Sequence, residues 1–120
     1  MSDSTAAHLA LVDRWAELYN TDVERLVHEV YAPQATIGGQ VWGPERLLKL
    51  ERRVLAAAPK RQCRVLQAHV AGDVVTVEGE MLDADRADWK LPFCAVLTIA
   101  DGKVVSDNTY AEFSQFPGFG

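Results

Sequence analysis

Cysteine is scarce in this chain. Cys63 and Cys94 are the only two in 120 residues. They stand far apart and no Cys-x-x-Cys spacing occurs, which excludes zinc-ribbon and thioredoxin-type redox sites. Two isolated thiols fit a reducing compartment, so a cytoplasmic location is expected. A basic surplus is also lacking: 12 Lys and Arg stand against 17 Asp and Glu, a net charge of -5. Phosphate binding needs a basic face, so no nucleic-acid partner is expected. No apolar run approaches the roughly 20 residues that cross a bilayer, so no membrane partner is expected either. Met1 to Ala7 is small and polar, without the basic and then apolar layout of a secretory leader, and none is expected. The sequence has no Gly-rich phosphate loop and no Gly-x-Ser-x-Gly turn. His8, His28 and His69 have no carboxylate or thiol at ligand spacing. No metal and no cofactor is therefore expected.

What is present is ordinary globular material, with 48% hydrophobic and 24% charged residues. A chain of this size buries roughly two thirds of its extended surface, enough for one core. A single domain spanning 1–120 is expected. The first half reads as helical. Leu9, Val12, Trp15, Ala16 and Tyr19 recur at helical spacing. Thr21-Asp22-Val23-Glu24 has the form of a capping box, with Thr21 as the cap. Val23, Leu26, Val27, Val30 and Tyr31 form the apolar stripe of a second helix ending before Pro33. Ala35–Ile37 and Gln40–Trp42 read as short strands around Gly38-Gly39. Gly43-Pro44-Glu45 opens a third helix that stops near Ala58, before Pro59.

The second half reads as strands, and turn register decides which side chains face the core. A two-residue turn at Gly72-Asp73 pairs Val70 with Val75, Ala68 with Val77 and Leu66 with Gly79. That apolar face continues to Met81, while Gln67, His69, Thr76, Glu78 and Glu80 lie opposite. At Ala100-Asp101-Gly102-Lys103 two registers compete. A two-residue turn pairs Val96 with Asp107, and a three-residue turn with a glycine bulge pairs Ala95 with Asp107. The second gives the stronger apolar face: Leu91, Phe93, Ala95, Leu97, Ile99, Val105, Thr109, Ala111 and Phe113. Asp107 is then the only formal charge on that face. Cys94, Val96, Thr98, Ser106, Asn108 and Tyr110 lie on the other.

The order helix, helix, short strand pair, helix, long antiparallel strands resembles the nuclear transport factor 2-like superfamily. Tyr31-Ala32-Pro33-Gln34-Ala35-Thr36-Ile37, Gly43-Pro44-Glu45 and Ala100-Asp101-Gly102-Lys103-Val104-Val105 carry the likeness, which extends from about Ala6 to Phe113. The resemblance implies an α+β fold. A strongly curved, mixed but mainly antiparallel sheet and three N-terminal helices would form a cone around an apolar pocket. Within the superfamily the chain is most similar to SnoaL-like polyketide cyclases, with ketosteroid isomerase and limonene epoxide hydrolase as relatives. The isomerase's tyrosine, late aspartate and base fall at Trp15, Ala95 and Gly39, which cannot do that chemistry. Three epoxide hydrolase positions fall at Ile37, Gly39 and Thr109, and Arg86-Ala87-Asp88 matches an Arg-x-Asp fragment only superficially. The SnoaL-like cyclases use an aspartate near the start of the last strand as general acid/base. Asp107 is at, or one residue from, that place, without a matching histidine.

Asp107 is accordingly the candidate catalytic residue. A carboxyl in an apolar pocket has its pKa raised toward neutrality and can take and return a proton. The alternative is an aspartate paired with Arg14 or with backbone amides. Trp15, Tyr19, Tyr31, Trp42, Met81, Phe93 and Thr109 are the candidate substrate-binding residues, a lining suited to a hydrophobic small molecule. Taken singly, each is also ordinary core. The expected function is a cofactor-independent cyclase, isomerase or hydratase. A ligand-binding module and a dimeric interaction protein are the alternatives. Arg46, Lys49, Arg52, Arg53, Lys60, Arg61 and Arg64 read as a solvated face. Val65, Cys94, Val96 and Tyr110 on the outer sheet face suggest a homodimer. The aromatic end, Phe113, Phe116, Pro117, Gly118 and Phe119, either closes the pocket or covers a neighbour.

Overall fold

The computed structural model describes residues 4–117; Gly118 and Phe119 lie outside them. Helix α1 spans Thr5–Thr21 and α2 spans Val23–Arg25, continuing as one π-helical turn over Leu26–Val30. Strands β1 (Tyr31–Ile37) and β2 (Gln40–Trp42) precede α3 (Pro44–Ala57). Then come β3 (Arg61–Ala71), β4 (Val74–Asp83), β5 (Lys90–Ala100) and β6 (Lys103–Ala111). The six strands form one open sheet in the order β2-β1-β6-β5-β4-β3. Only β1 and β6 run parallel; all other neighbours are antiparallel. The α+β class and mixed sheet are those expected.

The helices depart from expectation in phase. The buried stripe of α1 is His8, Val12, Trp15 and Leu18, whereas Leu9 is exposed. The cap of α2 is Asp22 rather than Thr21: its carboxylate accepts the Arg25 amide at 3.1 Å, while the Thr21 hydroxyl bonds back to the Glu17 carbonyl. Tyr31 belongs to a strand, not to the second helix. Pro33 holds Ala32 extended, and its missing amide falls where β1 and β6 are out of register. His8 has a partner after all, Asp73 in the β3–β4 turn, at 3.1 Å.

The turns set the sheet. Gly38 and Gly39 have φ of 57° and 85°, and Asp101 and Gly102 have φ of 53° and 74°. Each pair makes a two-residue turn with both central residues left-handed, the form whose twist suits a hairpin. Two bulges then move side chains between faces. In β3, Val65 pairs with Gly79 and Gln67 with Glu78, so Leu66 is the extra residue and is 56% exposed. Leu66 is thus not opposite Gly79, and Val65 packs against the core rather than on the outer face. In β6, Ile99 pairs with Val104 but Thr98 with Ser106, so Val105 is the extra residue. Val104 is buried in its place. Asp107 therefore pairs with Leu97, not with Ala95 or Val96. The slip from Ala95 is two residues, which preserves parity: Phe93, Ala95, Leu97, Asp107 and Thr109 share the inner face.

Gly79 is where the sheet lets an aromatic ring lie on the backbone. A Cβ there would stand 2.5 Å from Phe93 Cζ and 2.8 Å from the Arg64 carbonyl oxygen. Gly79→Ala is expected to destabilise by about 1–3 kcal/mol, as overpacking does. Urea unfolding measures this, and a midpoint equal to wild type would show that the ring is free to shift.

Candidate functional site

The inner face of the sheet, α1, α3 and the π turn surround a cavity of about 220 Å³. Ligand sites usually run from about 300 Å³ upward, so this one suits a small molecule. Its lining includes Trp15, Tyr19, Tyr31, Met81, Phe93, Asp107 and Thr109. Trp42 is not among the lining residues. It packs against the core edge with the Arg46 guanidinium 3.8 Å from its ring centre. Phe113 and Phe116 also line the cavity, with ring centres 5.7 Å apart.

Asp107 is buried and held by two hydroxyls. The Tyr31 phenol donates to Oδ2 at 2.7 Å and the Thr109 hydroxyl to Oδ1 at 2.7 Å. Trp15 Nε1–H donates to the Tyr31 oxygen at 2.9 Å, so a directed chain runs from α1 through β1 to β6. The π turn ends immediately before Tyr31. The Gly38 amide donates to the Asp107 carbonyl at 3.0 Å and ties the β1–β2 turn to the same residue. Arg14 is not the partner of Asp107; it pairs with Glu29.

Burial raises the Asp107 pKa above the usual carboxylate range, and the Thr109 and Tyr31 hydrogen bonds pull it partly back. Tyr31 is pushed well above the ordinary phenol value, by burial first and then by the Asp107 charge. It is a donor that keeps its proton. Tyr31→Phe removes a bond that favours the carboxylate, so the Asp107 pKa is expected to rise further. A carbon-detected NMR titration of the Asp107 carboxyl reads this directly; an unchanged midpoint would contradict the Tyr31–Asp107 bond.

Two further cavity residues escaped the sequence reading. Glu51 enters from α3, and its Oε2 is buried with no hydrogen-bond partner among the described residues. Burial lifts its pKa to about 7, with Arg61 opposing and Asp107 adding to the rise. The signal was legible: Leu47, Val54 and Ala58 are buried, and Glu51 lies between them at helical spacing. Cys63 reaches the lining because the β3 bulge turns it inward. Burial pushes its thiol up to about 12, which keeps it protonated and a poor nucleophile. Arg61, expected on a solvated face, is buried. It lies 4.2 Å from the Tyr19 ring centre and donates to the Tyr19 carbonyl at 2.8 Å.

Arg86-Ala87-Asp88 is in the β4–β5 connection, where Arg86 faces Asp83 and Trp89. It takes no part in the cavity lining. Among the described residues no group of three or more His, Cys, Asp or Glu is placed to hold a metal ion. No helix among them is long and apolar enough to cross a membrane.

An open mixed sheet closed by three helices over an inner cavity is a fold of the nuclear transport factor 2-like kind. Residues 10–107 match the SnoaL-like domain, and the chain belongs to that family. Curated protein sequences give no significant match. Among solved structures, it is similar to wild-type IdmH of Streptomyces antibioticus, described as a candidate polyketide cyclase. That likeness is at 15% identity and TM-score 0.79, over 91% of this chain and 94% of that one. A candidate SnoaL-like polyketide cyclase of Jannaschia sp. CCS1 is similar at 16% identity and TM-score 0.78, over 98% and 96% of the two chains. A ketosteroid isomerase-like protein of Catenulispora acidiphila, bound to trimethylamine, is similar at 22% identity and TM-score 0.73, over 88% of each. These likenesses bear out the expected cone-type fold.

Proposed function

We propose that this chain is an enzyme performing acid–base chemistry on a hydrophobic small molecule, of the cyclase, isomerase or hydratase kind, with Asp107 moving the proton. The observation that carries it is a buried carboxyl with a raised pKa, on the wall of an apolar cavity, with no cationic partner among the described residues. A carboxylate offers about four lone-pair positions, and Tyr31 and Thr109 occupy two. Each oxygen keeps room to accept a substrate proton. Trp15, Tyr31, Met81 and Phe93 would hold the apolar body of the substrate, and Tyr31 and Thr109 would fix the plane of the carboxyl. The polyketide cyclase descriptions of similar structures agree with this class.

Solvent deuterium exchange tests the reading. The expected result is that the protein accelerates exchange of the acidic C–H of 6-hydroxy-2-tetralone, a small fused-ring ketone, followed by proton NMR. Exchange at the buffer rate across a panel of such carbon acids would count against it. The second reading is a binding module without turnover. It is favoured by the hydrogen bond that each Asp107 oxygen already accepts in the resting protein. A small molecule co-purifying in native mass spectrometry, with no exchange activity, would support it.

A further inference from the structure

The proposed chemistry uses one set of cavity groups and leaves another unexplained. Besides the Asp107 cluster, two residues of the cavity lining carry a buried polar atom with no hydrogen-bond partner among the described residues: the Tyr19 hydroxyl and Glu51 Oε2. Both atoms are buried while their residues, Tyr19 on α1 and Glu51 on α3, are half-buried. A buried hydroxyl or carboxyl without a partner is costly, and such groups in native proteins call for an explanation. Burial and the neighbouring Glu51 charge push the Tyr19 phenol above its ordinary value, so it stays a neutral donor and acceptor. Arg61 stands beside both groups and opposes the rise of both pKa values, yet its geometry completes the hydrogen bonding of neither atom. One of its terminal nitrogens is used on the Tyr19 carbonyl, its plane lies over the Tyr19 ring, and its Nε is itself buried without a partner.

We infer that Tyr19 and Glu51 form a hydroxyl-binding subsite, so that the ligand is a small hydrophobic molecule carrying an alcohol or phenol group apart from the atoms that meet the Asp107 carboxyl. The inference rests on the cavity being a ligand site, as proposed above, but not on turnover. The chemistry selects the class. A ligand hydroxyl both donates and accepts, so it can give its proton to Glu51 Oε2 while accepting from the Tyr19 O–H. A carbonyl only accepts, so it pairs with Glu51 only while that carboxyl is protonated, whereas a hydroxyl pairs with both of its forms. An apolar end would satisfy neither group. A site built to bond a hydroxyl discriminates strongly against the analogue lacking it, because its own buried groups are left unpaired.

The test compares 2-tetralone with 6-hydroxy-2-tetralone, which differ by one hydroxyl, by calorimetric titration of the full chain. Wild type is expected to bind the hydroxylated compound about tenfold more tightly. Tyr19→Phe and Glu51→Leu should each remove most of that preference. Glu51→Gln should keep most of it, because an amide also donates and accepts. If Glu51→Leu does not fold, Glu51→Ala serves in its place. Equal affinity of wild type for the two compounds, no binding of either, or an undiminished preference in Tyr19→Phe and Glu51→Leu would overturn the inference. The Asp107 reading fails separately, if exchange survives in Asp107→Asn. That variant should retain the hydroxyl preference.

Discussion

Asp107→Asn is expected to lower proton-transfer activity by about 100- to 10,000-fold while leaving the fold intact, the usual range for loss of a general acid or base. The carboxyl accepts two hydrogen bonds, from Tyr31 and Thr109. An amide in its place can accept only through its oxygen and must donate through its nitrogen. The Tyr31 oxygen already accepts from Trp15 and has a second lone pair, so it can accept from the new amide. Its own proton then lacks a partner, at a stability cost of about 1–3 kcal/mol. Deuterium exchange and urea unfolding on the same variant separate the two effects. Exchange at the wild-type rate would refute Asp107 as the proton carrier. Loss of exchange accompanied by gross unfolding would make the residue structural.

Glu51 should make the protein lose stability as pH rises. Its folded pKa is about 7 against an ordinary value of 4.5. The folded state therefore binds the proton more tightly than the unfolded state. The slope of unfolding free energy with pH is negative wherever the folded state holds more protons, here between about 4.5 and 7. Below that window both states are protonated and nothing is lost; above it the full penalty applies. The difference amounts to about 3 kcal/mol across the window. Asp107 contributes in the same direction, its pKa also being raised by burial. Glu51→Gln should flatten the profile and be more stable than wild type at pH 8, with little difference near pH 4. Urea midpoints measured across that range decide it. Parallel profiles for the two proteins would mean that the Glu51 carboxyl is solvated.

The sequence carried the inner face of the last hairpin because parity is robust. The bulge at Val105 shifted the pairing of Asp107 from Ala95 to Leu97 and put Val104 inward in place of Val105, yet the even shift leaves Asp107 and Thr109 on the side expected. The bulge at Leu66 is different. It changes the count by one, so Cys63 and Val65 turn inward and Leu66 turns out. Nothing in the local pattern of β3 distinguishes these outcomes. The Tyr31–Asp107 bond joins residues 76 apart, and the Trp15–Tyr31 bond joins residues on a helix and a strand. Each residue stood out singly in the sequence; their alignment depends on the π turn, which spacing does not reveal. Glu51 was open to view as a carboxylate inside an apolar stripe. A charge at a core position of a helix is the kind of local conflict that functional sites tolerate.

The parallel pairing of β1 with β6 has a consequence for how the protein comes into being. β6 is the last of the six strands to be synthesised, yet it lies in the interior of the sheet, between β1 and β5. Strands β3, β4 and β5 are sequential neighbours and can zip together while the chain is still emerging. β1 and β2 can form only a small hairpin. Closing the sheet joins residues as far apart as Ile37 and Asp107, and such distant pairings are slow to form because the loop entropy is lost before the contact forms. Until then β6, joined to β5 by the two-residue turn at Asp101-Gly102, offers an unpaired edge to any other strand, a known route to misassembly. That exposed strand is also the one that carries Asp107 and Thr109, and β1, which covers it, brings Tyr31. The chain therefore completes the Tyr31–Asp107 bond and covers its exposed edge in the same folding step.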